Sequence, residues 1–137
     1  MTFTSTVEYK GALRTEAIHI RSNTVFVTDA PVDNNGKGES FSPTDMVATA
    51  LASCMLTIMG IKARDKEIDI TGAKAEIKKI MASDPRRISK VFVKIHMPDH
   101  PYTEKEKKIL KKAAAACPVS KSLSADLEQE FEFIWKI

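Results

Sequence analysis

The sequence predicts an α+β fold in which mostly antiparallel sheets surround one long buried helix. Short segments of alternating apolar and polar residues, separated by turn residues, indicate β-hairpins. Residues 46–61 carry no charge, and a helix that is apolar on every side is expected to be buried on every side. The 137 residues, 43% hydrophobic and 28% charged, favour one globular domain over 1–137.

The N-terminal part of the chain predicts three strands and a long loop. Alternation at residues 3–9 and 13–20 indicates two half-buried strands, and a short Val-Phe-Val segment centres a third at 24–28. Lys10-Gly11 and Ser22-Asn23 supply the turns. Residues 29–40 then predict a loop rich in Gly and Asn, and loops of this length are often functional.

The central helix has a clear start signal. Ser42 can cap it, Pro43 suits the first helical position, and Asp45 stands where the acid of a capping box stands. The uncharged run that follows is rich in small residues, which permit close packing. We expect this helix to end near residues 64–66.

The C-terminal part predicts a second hairpin, two further helices and a last strand. Residues 68–82 and 88–97 indicate long strands joined by a turn at 84–87. Thr103 and Glu106 form a capping box for an amphipathic helix that runs to residue 116. Because a residue before proline disfavours the helical region, Cys117-Pro118 should bend the chain and begin a short helix through residue 123. Residues 130–137 indicate the terminal strand.

Charge and targeting signals exclude several functions. A formal net charge of +3 is too small to predict binding to nucleic acid or to an anionic membrane, and the lysine-rich run at 105–112 suits a solvated helix face. The N-terminus shows no signal-peptide pattern, and the uncharged run is short for a membrane span. We therefore expect a cytoplasmic protein, in which a standing disulfide is disfavoured.

Two cysteines are the leading candidates for chemistry. Cys54 lies in the uncharged helix, where it is equally well interpreted as a small buried side chain or as a reactive thiol. Cys117 stands at a helix N-cap, where backbone N–H groups favour a thiolate. The two form an attacking and resolving pair if the fold brings their Cα atoms within about 4.4–6.8 Å. A cation near the thiolate is also needed, and Arg14 and Arg21 are the candidates.

The remaining polar residues give no prediction of a metal site. The spacing of the two cysteines matches neither a CxxC motif nor a zinc ribbon. His96 and His100 are separated by a proline, so they cannot share a helical face, and no third metal ligand accompanies them. Asp29, Asp33 and Glu39 make an acidic loop able to attract a cation, but they do not match the Ca²⁺ loop pattern. We expect no metal site.

Two segments carry a resemblance to a known family. Residues 42–54, SPTDMVATALASC, and residues 117–123, CPVSKSL, resemble the OsmC/Ohr family of osmotically inducible and organic hydroperoxide resistance proteins, and the likeness extends over nearly the whole chain. The resemblance implies an OsmC-like fold in an intertwined homodimer, with sheets wrapped around the central helices and two active sites at the subunit interface. It also implies a thiol peroxidase that needs no metal, flavin or other cofactor.

The same resemblance assigns roles to individual residues. Cys54 corresponds to the peroxidatic cysteine, which attacks an organic hydroperoxide (an inorganic peroxide being a further candidate) and becomes a sulfenic acid. Cys117 corresponds to the resolving cysteine, whose disulfide with Cys54 an external dithiol reductant, a protein or a small thiol, reopens. Arg14 in Leu-Arg-Thr matches the arginine that assists the thiolate. These roles imply defence against oxidative stress.

One position departs from the family pattern. Hydroperoxide-resistance members carry a glutamate directly after the proline of the helix motif, where it holds the arginine, whereas this chain has Thr44. Glu39 and Asp45 are the candidate supporting acids. The departure indicates the OsmC-like subgroup. The alternative function is a non-enzymatic protein of this fold that binds a small apolar ligand or senses oxidation.

Overall fold

The computed structural model describes residues 2–136 and divides the chain into two compact units. The first unit extends to Val47, and the second begins at Ala48. This division leaves the single domain over 1–137 as a prediction.

The first unit contains a three-stranded antiparallel sheet of order β1-β2-β3. Its strands are β1 Ser5–Gly11, β2 Arg14–His19 and β3 Val25–Asp29. Val7 pairs with Ala17, and Ala17 pairs with Phe26, so these three side chains form one cross-strand row on one face. The three predicted strands are confirmed, with ends shifted by one or two residues.

The loop after β3 is ordered by close backbone packing. It contains a 3₁₀ turn at Val32–Asn34, and the Gly36 N–H donates to the Pro31 carbonyl at 2.9 Å. A Cβ at position 36 would lie 1.7 Å from the Ala30 carbonyl oxygen, so only glycine fits there.

The long helix α1 spans Pro43–Asp65. The Asp45 N–H donates to Ser42 Oγ and the Ser42 N–H donates to Asp45 Oδ2, each at 3.0 Å, which confirms the predicted capping box. By length and composition alone α1 could cross a membrane, contrary to our estimate from residues 46–61, but the core helix of a soluble protein passes the same test.

The burial of α1 corrects the expectation that every side is covered. One face is buried, formed by Ala48, Leu51, Ala52, Met55, Met59 and Ala63. Val47 and Ile61 remain 37% and 46% exposed. The absence of charge predicts that the helix is buried, but it does not say whether the same chain or another molecule covers each face. In a single chain, only the face of α1 that packs on the core of that chain is covered.

The second unit contains a three-stranded sheet of order β4-β5-β6. Its strands are β4 Lys74–Ala82, β5 Arg87–His96 and β6 Glu128–Ile134. The β4–β5 pair is antiparallel, but β6 runs parallel to β5, with Val93 opposite Phe131. Antiparallel pairing therefore dominates as predicted, although the terminal strand is an exception. A helical crossover between β5 and β6 permits this parallel pairing.

One predicted strand boundary in this unit was wrong, and a second lies outside the described residues. β4 begins at Lys74 and not at residue 68, because the Ile68 N–H closes the end of α1 on the Ala63 carbonyl and the Thr71 N–H bonds Asp69 Oδ1 in a turn. β6 ends at Ile134, and residue 137 of the predicted strand lies outside the described residues.

Two helices connect β5 to β6, and the core lies beneath them. Helix α2 spans Glu104–Ala115 with the predicted Thr103–Glu106 capping box, and α3 spans Pro118–Ser122 with Cys117 as its N-cap. The buried cluster of this unit takes side chains from α1, β5 and α2, among them Met55, Met59, Val93, Ile95 and Leu110. Cys117 belongs to the same cluster.

Candidate redox site

The structure brings the two cysteines together within the second unit. Cys54 lies on α1 between the buried face and the exposed side and is half-buried, whereas Cys117 is fully buried at the junction of α2 and α3. Both are free thiols, and they lie close enough for the Cys54 thiol to raise the pKa of Cys117. The fold thus joins two sulfur atoms that are 63 positions apart (117 minus 54).

Cys117 is held by three further backbone contacts. Its Sγ accepts the Ser120 N–H at 3.4 Å, as an N-cap side chain does, and the Val119 N–H also points to it. On the other side the thiol donates to the Leu51 carbonyl of α1 at 3.9 Å. These contacts fix Cys117 against the turn of α1 that precedes Cys54.

Burial decides the protonation of Cys117. Burial raises the pKa of the Cys117 thiol, and the neighbouring Cys54 thiol raises it further. The N–H groups of Ser120 and Val119 lower it, as expected at a helix N-cap, but burial outweighs them.

Exposure to solvent distinguishes the two thiols. Solvent reaches Cys54 but not Cys117, which remains a neutral thiol beside it. A small oxidant arriving from solution can therefore meet Cys54 first. Cys117 can then attack whatever forms on the Cys54 sulfur. The arrangement suits chemistry that starts at Cys54 and ends in a disulfide.

Arg14 lies in the first unit, where Asp29 holds it. Its Nε and Nη2 donate to the two carboxylate oxygens of Asp29 at 2.7 and 2.8 Å, a bidentate pair across the β2–β3 register. Asp29 is 4% exposed in its side chain and Arg14 41%. The hydrogen bond from Arg14 holds the pKa of the Asp29 carboxyl below its usual range, against the opposing effect of burial.

The two predicted supporting acids have different positions. Glu39 Oε2 lies 3.8 Å from Arg14 Nη2 in a more exposed ion pair, so it is an outer partner of the arginine. Asp45 bonds the Ser42 backbone in the helix cap, and Thr44 Oγ1 lies 3.2 Å from Ser42 Oγ. Arg21 lies exposed in the turn between β2 and β3.

Comparisons with known proteins identify the family. The model of the OsmC-like protein family matches residues 36–132, which is more than two thirds of the chain and includes both cysteine segments. The chain belongs to the OsmC-like family. This result confirms the resemblance and agrees with the mixed α+β architecture of two sheets and a central helix.

Solved OsmC-like structures show how far the likeness extends. A structure described as an osmotic stress induced and detoxification response protein from Psychrobacter arcticus is 54% identical, with a TM-score of 0.94 over 98% of this chain and 97% of that chain. An OsmC-like protein from Mycoplasma pneumoniae is 16% identical, with a TM-score of 0.82 over 100% and 99% of the two chains.

More distant relatives share the fold alone. An organic hydroperoxide resistance protein OsmC from Legionella pneumophila is 13% identical, with a TM-score of 0.75 over 100% of this chain and 99% of that chain. A comparison with the curated proteins found no match.

Sequence reasoning missed Asp29 as the acid that holds the arginine. We assigned Asp29 to an acidic loop, whereas it is the last residue of β3 and pairs with Arg14 in the sheet. The signal was the hairpin register: the predicted Ser22-Asn23 turn would place position 14 opposite position 31, two residues from Asp29, which the observed register pairs with Arg14. The acidic loop of Asp29, Asp33 and Glu39 therefore loses Asp29 to this pair.

The histidines of this OsmC-like chain do not form a metal centre in the described part of the chain. His96 Nε2 lies 2.5 Å from Glu76 Oε1 on the β4–β5 surface. Among residues 2–136, no three His, Cys, Asp or Glu side chains are grouped as metal ligands.

Proposed function

We propose that this OsmC-like protein is a thiol peroxidase that reduces organic hydroperoxides through a cycle of Cys54 and Cys117. The proximity of the two thiols carries this proposal. A pair of isolated structural cysteines needs no such proximity, whereas resolution of an oxidised Cys54 by Cys117 requires it. The hydroperoxide resistance proteins among the structural neighbours support the proposal at the level of the family.

The first step oxidises Cys54 and reduces the peroxide. The Cys54 thiolate attacks the terminal oxygen of the hydroperoxide, the O–O bond breaks, and the leaving alkoxide takes a proton to become an alcohol. Cys54 is left as a sulfenic acid. Two electrons move from sulfur to peroxide, so this step requires no metal or flavin.

The second step forms a disulfide. The Cys117 sulfur attacks the Cys54 sulfenic sulfur, an S–S bond forms, and the hydroxyl leaves as water with the proton of the Cys117 thiol. An external dithiol then reduces the disulfide by exchange and is itself oxidised. A protonated, buried Cys117 suits this role because it does not compete with Cys54 for the peroxide.

Arg14 is the proposed cation for the thiolate, as the family resemblance implies. Its guanidinium stays charged at every accessible pH and can also orient a peroxide oxygen. The bidentate bond to Asp29 supports this assignment, because it fixes a long flexible side chain in one orientation. In this chain Asp29 thus takes the part that the family resemblance gave to a glutamate after the helix proline.

The proposed setting is a cytoplasmic homodimer. A cytoplasmic location would supply the dithiol reductants that the cycle consumes. Exposed apolar side chains on the first sheet and on α1 support a second copy as partner, and among them are Val7, Phe26 and Ile61.

Turnover by cysteine variants tests the proposal. Cumene hydroperoxide consumption is measured with excess dithiol for the wild type, Cys54→Ser and Cys117→Ser. Cys54→Ser should fall to the rate of the reagent blank, since no nucleophile remains. Cys117→Ser, treated with one equivalent of peroxide in the absence of dithiol, should complete one turnover and leave a sulfenic acid that a cyclic dione labels. Ser53→Ala, at an exposed neighbouring position of α1, is the matched control and should retain turnover.

Two outcomes would reject the enzyme. Unchanged peroxide consumption by Cys54→Ser would show that the cysteine assignment is wrong. Stoichiometric oxidation of Cys54 that dithiol reverses, without catalytic consumption of peroxide, would show an oxidation sensor in place of a peroxidase.

A further inference from the structure

A cavity of about 410 Å³ lies within the second unit between the C-terminal parts of α1 and α2. Its volume falls within the usual range of small-molecule sites. The cavity lining is Lys62, Lys66, Ile109, Lys112, Ala113 and Ala116. Neither cysteine lines this cavity.

The cationic groups of this cavity have no anionic partner among residues 2–136. None of its lining residues is a carboxylate. Within residues 2–136, the ammonium groups of Lys62, Lys66 and Lys112 form no ion pair, whereas Lys107 on the same helix pairs with Glu104 at 3.3 Å. Three like charges around one concave surface favour an anion there.

The lysine ammonium groups do not cap the C-terminal ends of the helices. Lysines in a last helical turn are favoured by the helix dipole. Here, however, the backbone already supplies the capping bonds. The Lys66 N–H donates to the Lys62 and Ala63 carbonyls at 3.1 Å each, and the Ala116 N–H donates to the Ala113 and Ala114 carbonyls. The ammonium groups are therefore available to a ligand.

The rest of the lining is apolar. Ile109, Ala113 and Ala116 present one side of α2, and the methylene stems of the lysines extend this surface up to their charged ends. An inorganic anion would satisfy the ammonium groups but leave this apolar wall in water. A neutral hydrocarbon would leave the three charges uncompensated.

We propose that this cavity binds a small anionic amphiphile, in which a carboxylate or similar head is joined to an apolar chain. The head contacts the lysine ammonium groups, and the chain covers Ile109 and Ala113. This inference rests on charge complementarity and the apolar wall, and it does not depend on the proposed peroxidase activity.

Titration calorimetry with decanoate tests the site, using the full chain with both cysteines reduced and ligand below its micelle concentration. Decanoate should bind saturably at one site per chain. The double variant Lys66→Gln/Lys112→Gln should raise Kd about tenfold or more. The matched control Lys78→Gln/Lys108→Gln removes the same charge from exposed positions outside the cavity and should bind as the wild type does.

Two ligand controls use the unchanged protein. Acetate lacks the chain and decanol lacks the charge, so each should bind at least about tenfold more weakly than decanoate. Absence of saturable decanoate binding, equal binding of decanol, or equal Kd values for both double variants would overturn the proposal. Because calorimetry does not require turnover, these results stand apart from the fate of the peroxidase proposal.

Discussion

Asp29 and Arg14 show how a side-chain pair links pH to stability. Arg14 lowers the pKa of the Asp29 carboxyl, so the folded state favours the ionised acid more than the unfolded state does. The stability from this pair is therefore fully present above the pKa of an unfolded aspartate. It is lost as pH falls through the lower pKa of the folded state.

Asp29→Asn should remove that pH-dependent part of the stability. At pH 7 the variant should unfold at lower urea concentration than the wild type, because Arg14 loses a charged bidentate partner. The gap should narrow at about pH 3, below the pKa of an unfolded aspartate, because the stabilisation by the ion pair declines as pH falls toward the lower pKa of the folded state. Urea unfolding at both pH values measures this difference.

The control for this experiment is Asp99→Asn, at an exposed carboxyl. It should follow the wild type at both pH values. A gap of the same size at pH 7 and about pH 3 for Asp29→Asn would show that the ionised pair is not the source of the effect.

At the residue scale, the sequence predicted the identity of the candidate site better than its electrostatics. Cys54 and Cys117 were singled out by type, by the Cys117-Pro118 signal and by the family motif. Which acid holds Arg14 depends on sheet register, and the protonation of Cys117 depends on burial. Both are tertiary properties that local spacing does not contain.

At the element scale, the helix starts could be predicted because their signals are local. The caps at Ser42 and Thr103 form the bonds that their sequences indicate. The start of β4 was wrong because Ile68 supplies a buried side chain to the end of α1, and its apolar character resembles that of a strand residue. The parallel direction of β6 was missed because the predicted hairpins indicate antiparallel pairing only for strands joined by short turns. β6 follows β5 through a long helical connection, which permits parallel pairing.

Thr103→Ala should destabilise the protein through α2. The Glu106 N–H donates to Thr103 Oγ1 at 3.1 Å and the Thr103 N–H donates to Glu106 Oε1 at 2.8 Å. Losing the hydroxyl should cost about 1 kcal/mol. That cost should lower Tm by about 4 °C for a chain of this size.

Calorimetric melting compares this variant with Glu106→Gln, which retains an acceptor for the Thr103 N–H and should melt close to the wild type. A Tm of Thr103→Ala equal to that of the wild type would show that the capping box does not stabilise α2.

At the scale of the whole molecule, the first sheet presents an uncovered apolar row. Val7 and Tyr9 are more than 60% exposed, and Phe26 on the same face is 47% exposed. Apolar patches of this kind mark surfaces that associate. The proposed homodimer would cover such a surface, and it would account for an uncharged helix that one chain leaves partly open.

The proposed dimer predicts the mass of the protein in solution. Light scattering should give about twice the chain mass of 15.2 kDa, and Val7→Lys/Phe26→Lys should shift the protein toward the monomer because two charges would need burial. Lys78→Glu, on the exposed side of β4, is the control and should remain dimeric. A wild-type protein that stays monomeric at micromolar concentration would contradict the dimer.

The α+β fold class could be predicted because both its elements and its family motifs are present in the sequence. The extent of burial around α1 could not, since it depends on which surfaces meet. The Cys54–Cys117 site depends on both kinds of information. The sequence motifs identify the two residues, and the fold brings their thiols close together.

The most direct test of the proposed cycle is the product of a single turnover. Reduced protein is mixed with one equivalent of cumene hydroperoxide, free thiols are blocked with an alkylating agent, and the peptides are identified by mass spectrometry. The proposal predicts an intramolecular Cys54–Cys117 disulfide with loss of two hydrogen masses. Peroxide consumption that leaves both thiols alkylated would contradict it.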